Sequence, residues 1–239
     1  MLLIHSCEIP KKYTDKLKEV LPDLISLSLP KNSDLYPSIA SHPDIFFFRI
    51  NTDTLIHSPS VPGKILDDIR SHNIRLKESQ KTPSGNYPDT ASLNCVRAGR
   101  YILHNTKLTD DIIKREADNL GLTLIHCGQG YSRCSVVPVN DKAIITSDPG
   151  ITKAAKKEGI DTLLVGPGDI DLPGERYGFI GGASGILPDG TILFLGDIKL
   201  HPDYKKMAEF LKKHQAGYIG LPGLPLYDAG SLIFFVEAR

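Results

Sequence analysis

The 239-residue chain has no long apolar run; its most hydrophobic stretches, such as Asp44-Ile45-Phe46-Phe47-Phe48, are strand length. A helix that crosses a bilayer needs about 20 apolar residues, so no membrane partner is expected. Neither sign of charge is in excess, since 28 basic and 28 acidic residues balance to zero. Non-specific binding to DNA depends on a surplus of Lys and Arg, so it is not expected, which leaves only a local patch open. The four cysteines, Cys7, Cys95, Cys127 and Cys134, show none of the CxxC spacing of metal sites. They read as free thiols in a reducing compartment, with no metal and no cofactor called for. Met1-Leu2-Leu3-Ile4 runs straight into Cys7-Glu8 and is too short for an export signal, so a cytoplasmic location is expected. Low-complexity tracts are missing as well.

What the chain does contain is a repeat. Leu3-Ile4-His5-Ser6, followed by Pro10, Lys12, Asp15, Ile25 and Leu27, returns as Leu55-Ile56-His57-Ser58, followed by Pro62, Lys64, Asp67, Ile74 and Leu76. The same template of apolar strand, polar break, amphipathic helix and second strand fits three more segments. The anchors Leu3, Leu55, Ile102, Ile144 and Leu193 are spaced by 52, 47, 42 and 49 residues. A regular period of that size points to an array of one supersecondary unit. Apolar spacings of three and four predict helices over 10–20, 62–69, 109–120, 151–158 and 202–213. Strands are expected after each helix and before four of the anchors, at 45–50, 93–98, 135–139 and 180–187. These four join their anchors through turn residues such as Asn51-Thr52-Asp53 and Asp189-Gly190.

The first anchor has no strand before it, and the missing one is at the other end: Leu232-Ile233-Phe234-Phe235-Val236. Pairing of that C-terminal strand with the N-terminal strand would close five ββαβ units into a ring with no exposed end. The expectation is therefore a single domain over 1–239, a five-fold pseudosymmetric α/β propeller. Its units lie near 1–43, 44–92, 93–133, 134–178 and 179–239. An open doubly wound sheet is less compatible, because it requires long parallel crossovers where this sequence has hairpin turns.

This architecture resembles the pentein superfamily, the α/β propellers of arginine and agmatine deiminases, dimethylarginine dimethylaminohydrolase, amidinotransferases and the ribosome anti-association factor. Within it, GRYILHNTKLTDDIIKREADNLGLTLIHC and CSVVPVNDKAIITSDPGITKAAKKEGIDTLLV look like two consecutive anti-association-factor units. The chain also resembles a bacterial family of unassigned function that carries YSRCS, ITSDPGI, GFIGGASG, GD followed by HPD, and a terminal DAGS. The resemblance implies a guanidino-modifying activity or, alternatively, a non-catalytic protein that presents a face of the ring to a macromolecular partner. Catalytic penteins carry a nucleophilic Cys where the last unit opens. Here that stretch is Asp228-Ala229-Gly230-Ser231, with Ser231 in its place.

Cys134, in Tyr131-Ser132-Arg133-Cys134-Ser135, holds the analogous place two units earlier and is the candidate nucleophile. It would need a nearby cation or His to lower its pKa, and otherwise reads as a small buried hydrophobe. His201 precedes a helix that begins at Pro202, which would keep it neutral and able to act as a base, or else His-Pro-Asp simply starts the helix. Asp197, Asp148 and Asp228 are candidates to hold a guanidinium through paired hydrogen bonds, although Asp148 and Asp228 also suit a cap or turn. Gly181 and Gly182, with Ser184, do not open a helix and so are no dinucleotide loop. They would either supply donors to a ligand or permit close packing. His5, His57 and His104 recur at one place in three units and read as structural. The expected partner is a small polar metabolite, a guanidino or carboxylate compound bound in the central channel and hydrolysed through Cys134; the sequence leaves its oligomeric state open.

Overall fold

The structure, a computed structural model, describes residues 1–236. One order of elements recurs along it. The chain opens with β1 (Leu2–Ser6), α1 (Lys11–Val20) and β2 (Ile25–Leu29). Next come α2 (Pro43–Phe46), β3 (Phe47–Arg49), β4 (Thr54–His57), α3 (Gly63–Ser71) and β5 (Arg75–Glu78). These are followed by β6 (Val96–Ala98), β7 (Tyr101–His104), α4 (Asp111–Asn119) and β8 (Thr123–His126). The fourth set is α5 (Ser132–Ser135), β9 (Val136–Asn140), β10 (Ala143–Thr146), α6 (Pro149–Lys157) and β11 (Asp161–Leu164). The chain ends with β12 (Ser184–Ile186), β13 (Ile192–Phe194), α7 (Tyr204–Lys213), β14 (Tyr218–Ile219) and β15 (Ile233–Phe235).

The strands form five separate three-stranded sheets, β15-β1-β2, β3-β4-β5, β6-β7-β8, β9-β10-β11 and β12-β13-β14. In each, the middle strand runs antiparallel to the strand before it and parallel to the one after its helix. A parallel partner requires a crossover, and the amphipathic helix supplies it. The first sheet takes its antiparallel member from the far end of the chain, with Leu3 opposite Phe234 and Ile4 opposite Ile233. Among the described residues no sheet closes on itself; the fold is mixed α/β with small sheets.

The middle strands are apolar at their centres, as in Leu3-Ile4 and Leu55-Ile56, because both of their faces are covered. Leu2 and Ile4 point into one cluster, with Leu55, Leu66 and Ile69. Leu3, between them, points into another, with Tyr13, Leu17 and Leu193. Three further clusters follow the same plan. Ile113 and Ala117 of α4 sit with Ile56 and Ile102, Ile151 of α6 with Leu103 and Ile144, and Met207 of α7 with Ile145 and Phe194. Each helix is thus wedged between its own sheet and the preceding one, and α1 is wedged between the first sheet and the fifth.

The strands that precede the anchors are shorter than the hydrophobic pattern predicts. Residues 43–46 are helical, β6 begins only at Val96, and β12 covers only Ser184–Ile186 of the expected 180–187. Apolar residues there are buried against the core as turns, and burial alone does not distinguish a turn from a strand.

Phe234 is fully buried in the cluster shared by the first and fifth sheets, and its neighbours Ile233 and Phe235 face the opposite cluster. Phe234→Ala is expected to cost about 3–5 kcal/mol, read as a lower urea midpoint. A loss below about 1 kcal/mol would contradict this packing.

Candidate active site

The segment ahead of each first strand, helical in α2 and α5, carries one residue to a common place. Asp44 precedes β3, Asn94 precedes β6, Cys134 precedes β9, Gly181 and Gly182 precede β12, and Ser231 precedes β15. They are tied together. Asp44 Oδ2 accepts from Ser231 Oγ at 2.6 Å and from Cys134 Sγ at 3.2 Å. Asn94 Nδ2 donates to Cys134 Sγ at 3.1 Å, while its Oδ1 accepts from the backbone N–H of Arg133 at 2.8 Å. Gly182 N donates to the Cys134 carbonyl at 2.9 Å, and the Gly182 carbonyl accepts from Ser231 N at 2.8 Å. All five segments therefore meet in one hydrogen-bonded floor.

Above this floor lies a cavity of about 440 Å³, with His42, Cys134 and Asp228 at its base and Tyr36, Tyr131 and Phe179 in its walls. Glu175 and Arg176, both exposed, stand at its mouth. Asp228 accepts from Phe179 N at 2.8 Å and Gly230 N at 2.9 Å. Burial nevertheless lifts its carboxyl to about 6. Burial also raises Asp44 and lowers His42. The Cys134 thiol is pushed well up, first by burial and then by the charges of Asp44 and Asp228. Two buried polar atoms here lack a hydrogen-bond partner, His42 Nδ1 and Asp44 Oδ1. Arg133 lies beneath, donating to the carbonyls of Val136, Gly181 and Ser184 at 3.1, 2.9 and 2.9 Å.

Of the residues singled out in the sequence, Cys134, Asp228, Ser231, Gly181, Gly182 and Ser184 converge here. The glycines are there for packing: a Cβ on Gly181 would fall 2.2 Å from the Arg133 carbonyl, and one on Gly182 would fall 1.9 Å from Asp228 Oδ1. Ser184 Oγ donates to the Gly181 carbonyl at 2.8 Å, so its hydroxyl is committed to backbone. His201, Asp197 and Asp148 are not brought to the cavity. His201 Nδ1 accepts from Asp203 N at 3.0 Å at the start of α7, and its ring lies beside Gly168. Asp197 accepts from Lys199 N at 3.0 Å and Asp148 from Ile151 N at 2.8 Å, each as a cap. Asp197 and Asp148 follow the middle strands, where the helices begin, whereas the cavity is reached from the segments ahead of the first strands. The repeated histidine is tied to the fold, as with buried His104, whose Nε2 bonds the Gly130 carbonyl at 2.8 Å.

His42 and Asp44 were not singled out, although a signal for them exists. His-Pro-Asp occurs twice, at 42–44 and 201–203. Only the first copy leads into a first strand, as Ser-Arg-Cys does at 132–134. Among the described residues, no group of three or more His, Cys, Asp or Glu is placed to hold a metal ion.

A family model described as "Family of unknown function (DUF6873)" matches residues 4–233. No curated protein matches the sequence. Solved structures do match the fold. Agmatine deiminase from C. jejuni superposes with a TM-score of 0.54 at 12% identity, covering 92% of this chain and 86% of that one. An amidinotransferase from Microseira wollei gives 0.57 at 12% identity over 100% and 94%. A dimethylarginine dimethylaminohydrolase gives 0.53 at 8% identity over 92% and 91%. The chain shares the fold of these three structures.

The raised Asp228 carboxyl has a stability consequence. Between its usual 3.8 and about 6 the folded chain keeps a proton that the unfolded chain releases, so stability falls as pH rises through that window. The full cost above the window is about 3 kcal/mol. Asp228→Asn is expected to flatten the fall in urea midpoint between about pH 4 and pH 7, with Asp44 retaining part of it. Identical slopes in the two proteins would refute the assignment.

Proposed function

We propose that this chain, which belongs to the family of unknown function DUF6873, hydrolyses a small guanidinium or amidinium compound in the cavity above Cys134. The observation that carries this is the sharing of one cavity by a thiol, a histidine and a buried carboxylate, Cys134, His42 and Asp228. The structural neighbours named above act on guanidino groups or transfer amidino groups, which supports a related activity. We read the five sheets as blades of one closed propeller in a single domain. Support for that comes from the hydrophobic cluster between the fifth sheet and the first and from the pairing of β15 with β1.

In the ligand-free site the thiol is neutral, because burial and two nearby carboxylates oppose its ionisation. A cation bound against Asp228 offsets those carboxylates. At about 4 Å and an effective dielectric near 20, one unit charge is worth about 4 kcal/mol to the thiolate. Asp44, 3.2 Å from Sγ, accepts the thiol proton. The thiolate adds to the guanidinium carbon, a C–S bond forms, and the π pair moves to nitrogen. His42, kept neutral by burial, takes up that proton from Asp44 and passes it to the departing nitrogen as the C–N bond breaks and an amine or ammonia leaves. Water then adds to the Cys134 adduct and loses a proton to His42. The C–S bond breaks, the hydrolysed product leaves, and the proton on His42 returns to the sulfur, which restores the neutral thiol and the neutral imidazole. Ser231, donating to Asp44, orients that carboxylate.

The proposal is tested by charge-matched labelling. A cationic haloacetamidine is expected to alkylate Cys134 at least about tenfold faster than the neutral haloacetamide, read by mass spectrometry, with no labelling there in Cys134→Ala. Equal rates would remove the cation-assisted thiol. In a screen of guanidino compounds for released ammonia, urea or amine, Cys134→Ala should abolish turnover and His42→Asn should lower it about 10²–10⁴-fold. Binding without turnover, indifferent to Cys134→Ala, would instead mark a binding protein.

A further inference from the structure

The first strands run away from the Cys134 cavity toward their hairpin turns, and at that end they line a second, open cavity of about 1260 Å³. All five sheets contribute to it, through Arg49, Arg97, Pro138, Ile186 and Phe234 among others. Register explains which side chains meet there. The repeated anchors Leu3, Leu55, Ile102, Ile144 and Leu193 lie opposite Phe234, Arg49, Arg97, Pro138 and Gly185, one equivalent position per sheet. Two neighbouring positions of the five therefore carry guanidinium groups.

Those groups have donors to spare. Arg49 donates through Nη1 to the Phe234 carbonyl, and Arg97 through Nη1 to the Ile50 carbonyl and through Nε to the Gly99 carbonyl at 2.8 Å. A guanidinium has five N–H donors, so most remain uncommitted on Arg49 and several on Arg97. Neither makes an ion pair among the described residues, nor does Arg133 below them. Of the carboxylates lining the cavity, Asp44 holds Ser231 and Cys134 through Oδ2, and its Oδ1 has no hydrogen-bond partner among the described residues. Asp141 and Asp189 sit on the exposed hairpin turns, where Asp189 accepts from Thr191 N and Asp141 acts on Arg97 only through its charge. Burial lowers Arg49, and the neighbouring charges of Arg133 and Arg97 lower it further. A purely structural role, capping strand carbonyls, uses one or two N–H groups of each arginine and leaves the other donors of these clustered, half-buried groups without a hydrogen-bond partner among the described residues.

We propose that the wide cavity at the hairpin end binds a small polyvalent oxyanion, a phosphate or polycarboxylate, between Arg49 and Arg97. Paired N–H donors of a guanidinium match the oxygens of either group. Like charge excludes a guanidinium compound from this end, so the site is separate from the Cys134 cavity and stands or falls independently of the activity proposed there.

The test is isothermal titration of the full chain with inorganic phosphate and, separately, with citrate, at ionic strength matched with sodium chloride. Saturable binding of at least one is expected, and the preferred anion identifies its class. Cys134→Ala should bind as wild type does. Arg49→Gln and Arg97→Gln should each weaken binding about tenfold or more, the usual scale of a lost charge-assisted contact. No saturable binding of either anion, or affinity unchanged in both Gln variants, overturns the proposal. Should a Gln variant fail to fold, Arg97→Lys replaces it. An ammonium lacks the planar fork, so Arg97→Lys must bind more weakly than wild type, and equal affinity overturns the proposal.

Discussion

Each middle strand of this protein is apolar on both faces, so each sheet must be covered twice. Ile4 faces the sheet of Leu55, while Leu3 faces the sheet of Leu193. Fully burying one such side chain is worth about 1.5–3 kcal/mol, and leaving any sheet at the end of a row would forfeit several. The chain meets this condition by seating α1 between the first sheet and the fifth and by giving β15 to β1. The hydrophobic demand of the units, more than any single contact, decides where the two ends of the polypeptide lie.

That arrangement creates the polar interior. Within its sheet the first strand has only one strand neighbour, which leaves its other edge unpaired there. Side chains complete the hydrogen bonding there: Arg49 and Arg97 serve the carbonyls of Phe234 and Ile50, and Arg133 serves three carbonyls around β9 and β12. At the other end of the strands, Asp44, Asn94, Cys134, Gly182 and Ser231 serve one another. The sheet edges thus concentrate cations at the hairpin end and carboxylates with a thiol at the opposite end. One fold in this way separates two electrostatic environments along the same strands.

Much of this was legible in the residues. Repetition of Leu-Ile-His-Ser marked the unit, three- and four-residue spacing marked all five long helices, and the surplus C-terminal apolar run marked the partner of β1. The first strands were overextended, because Pro43-Asp44-Ile45-Phe46 is as apolar as a strand and yet folds as a helical turn. Among the site residues, Cys134 and Asp228 were visible from their motifs. His201 and His42 open identical His-Pro-Asp tripeptides that differ only in which element follows them, so the sequence does not single out His42. A helix start and a strand start look alike when Pro and Asp open both.

By itself the sequence determined the unit, its fivefold count and the mating of the chain ends, because hydrophobic periodicity and repeat spacing are properties of local stretches. Only the tertiary structure decided which polar residues become neighbours. Asp44 and Cys134 lie 90 positions apart, and Ser231 and Asp44 lie 187 apart. Their meeting depends on the register of separate sheets, and no local pattern records it. The same holds for Arg49 and Arg97, whose shared cavity follows from equivalent pairing with Leu55 and Ile102.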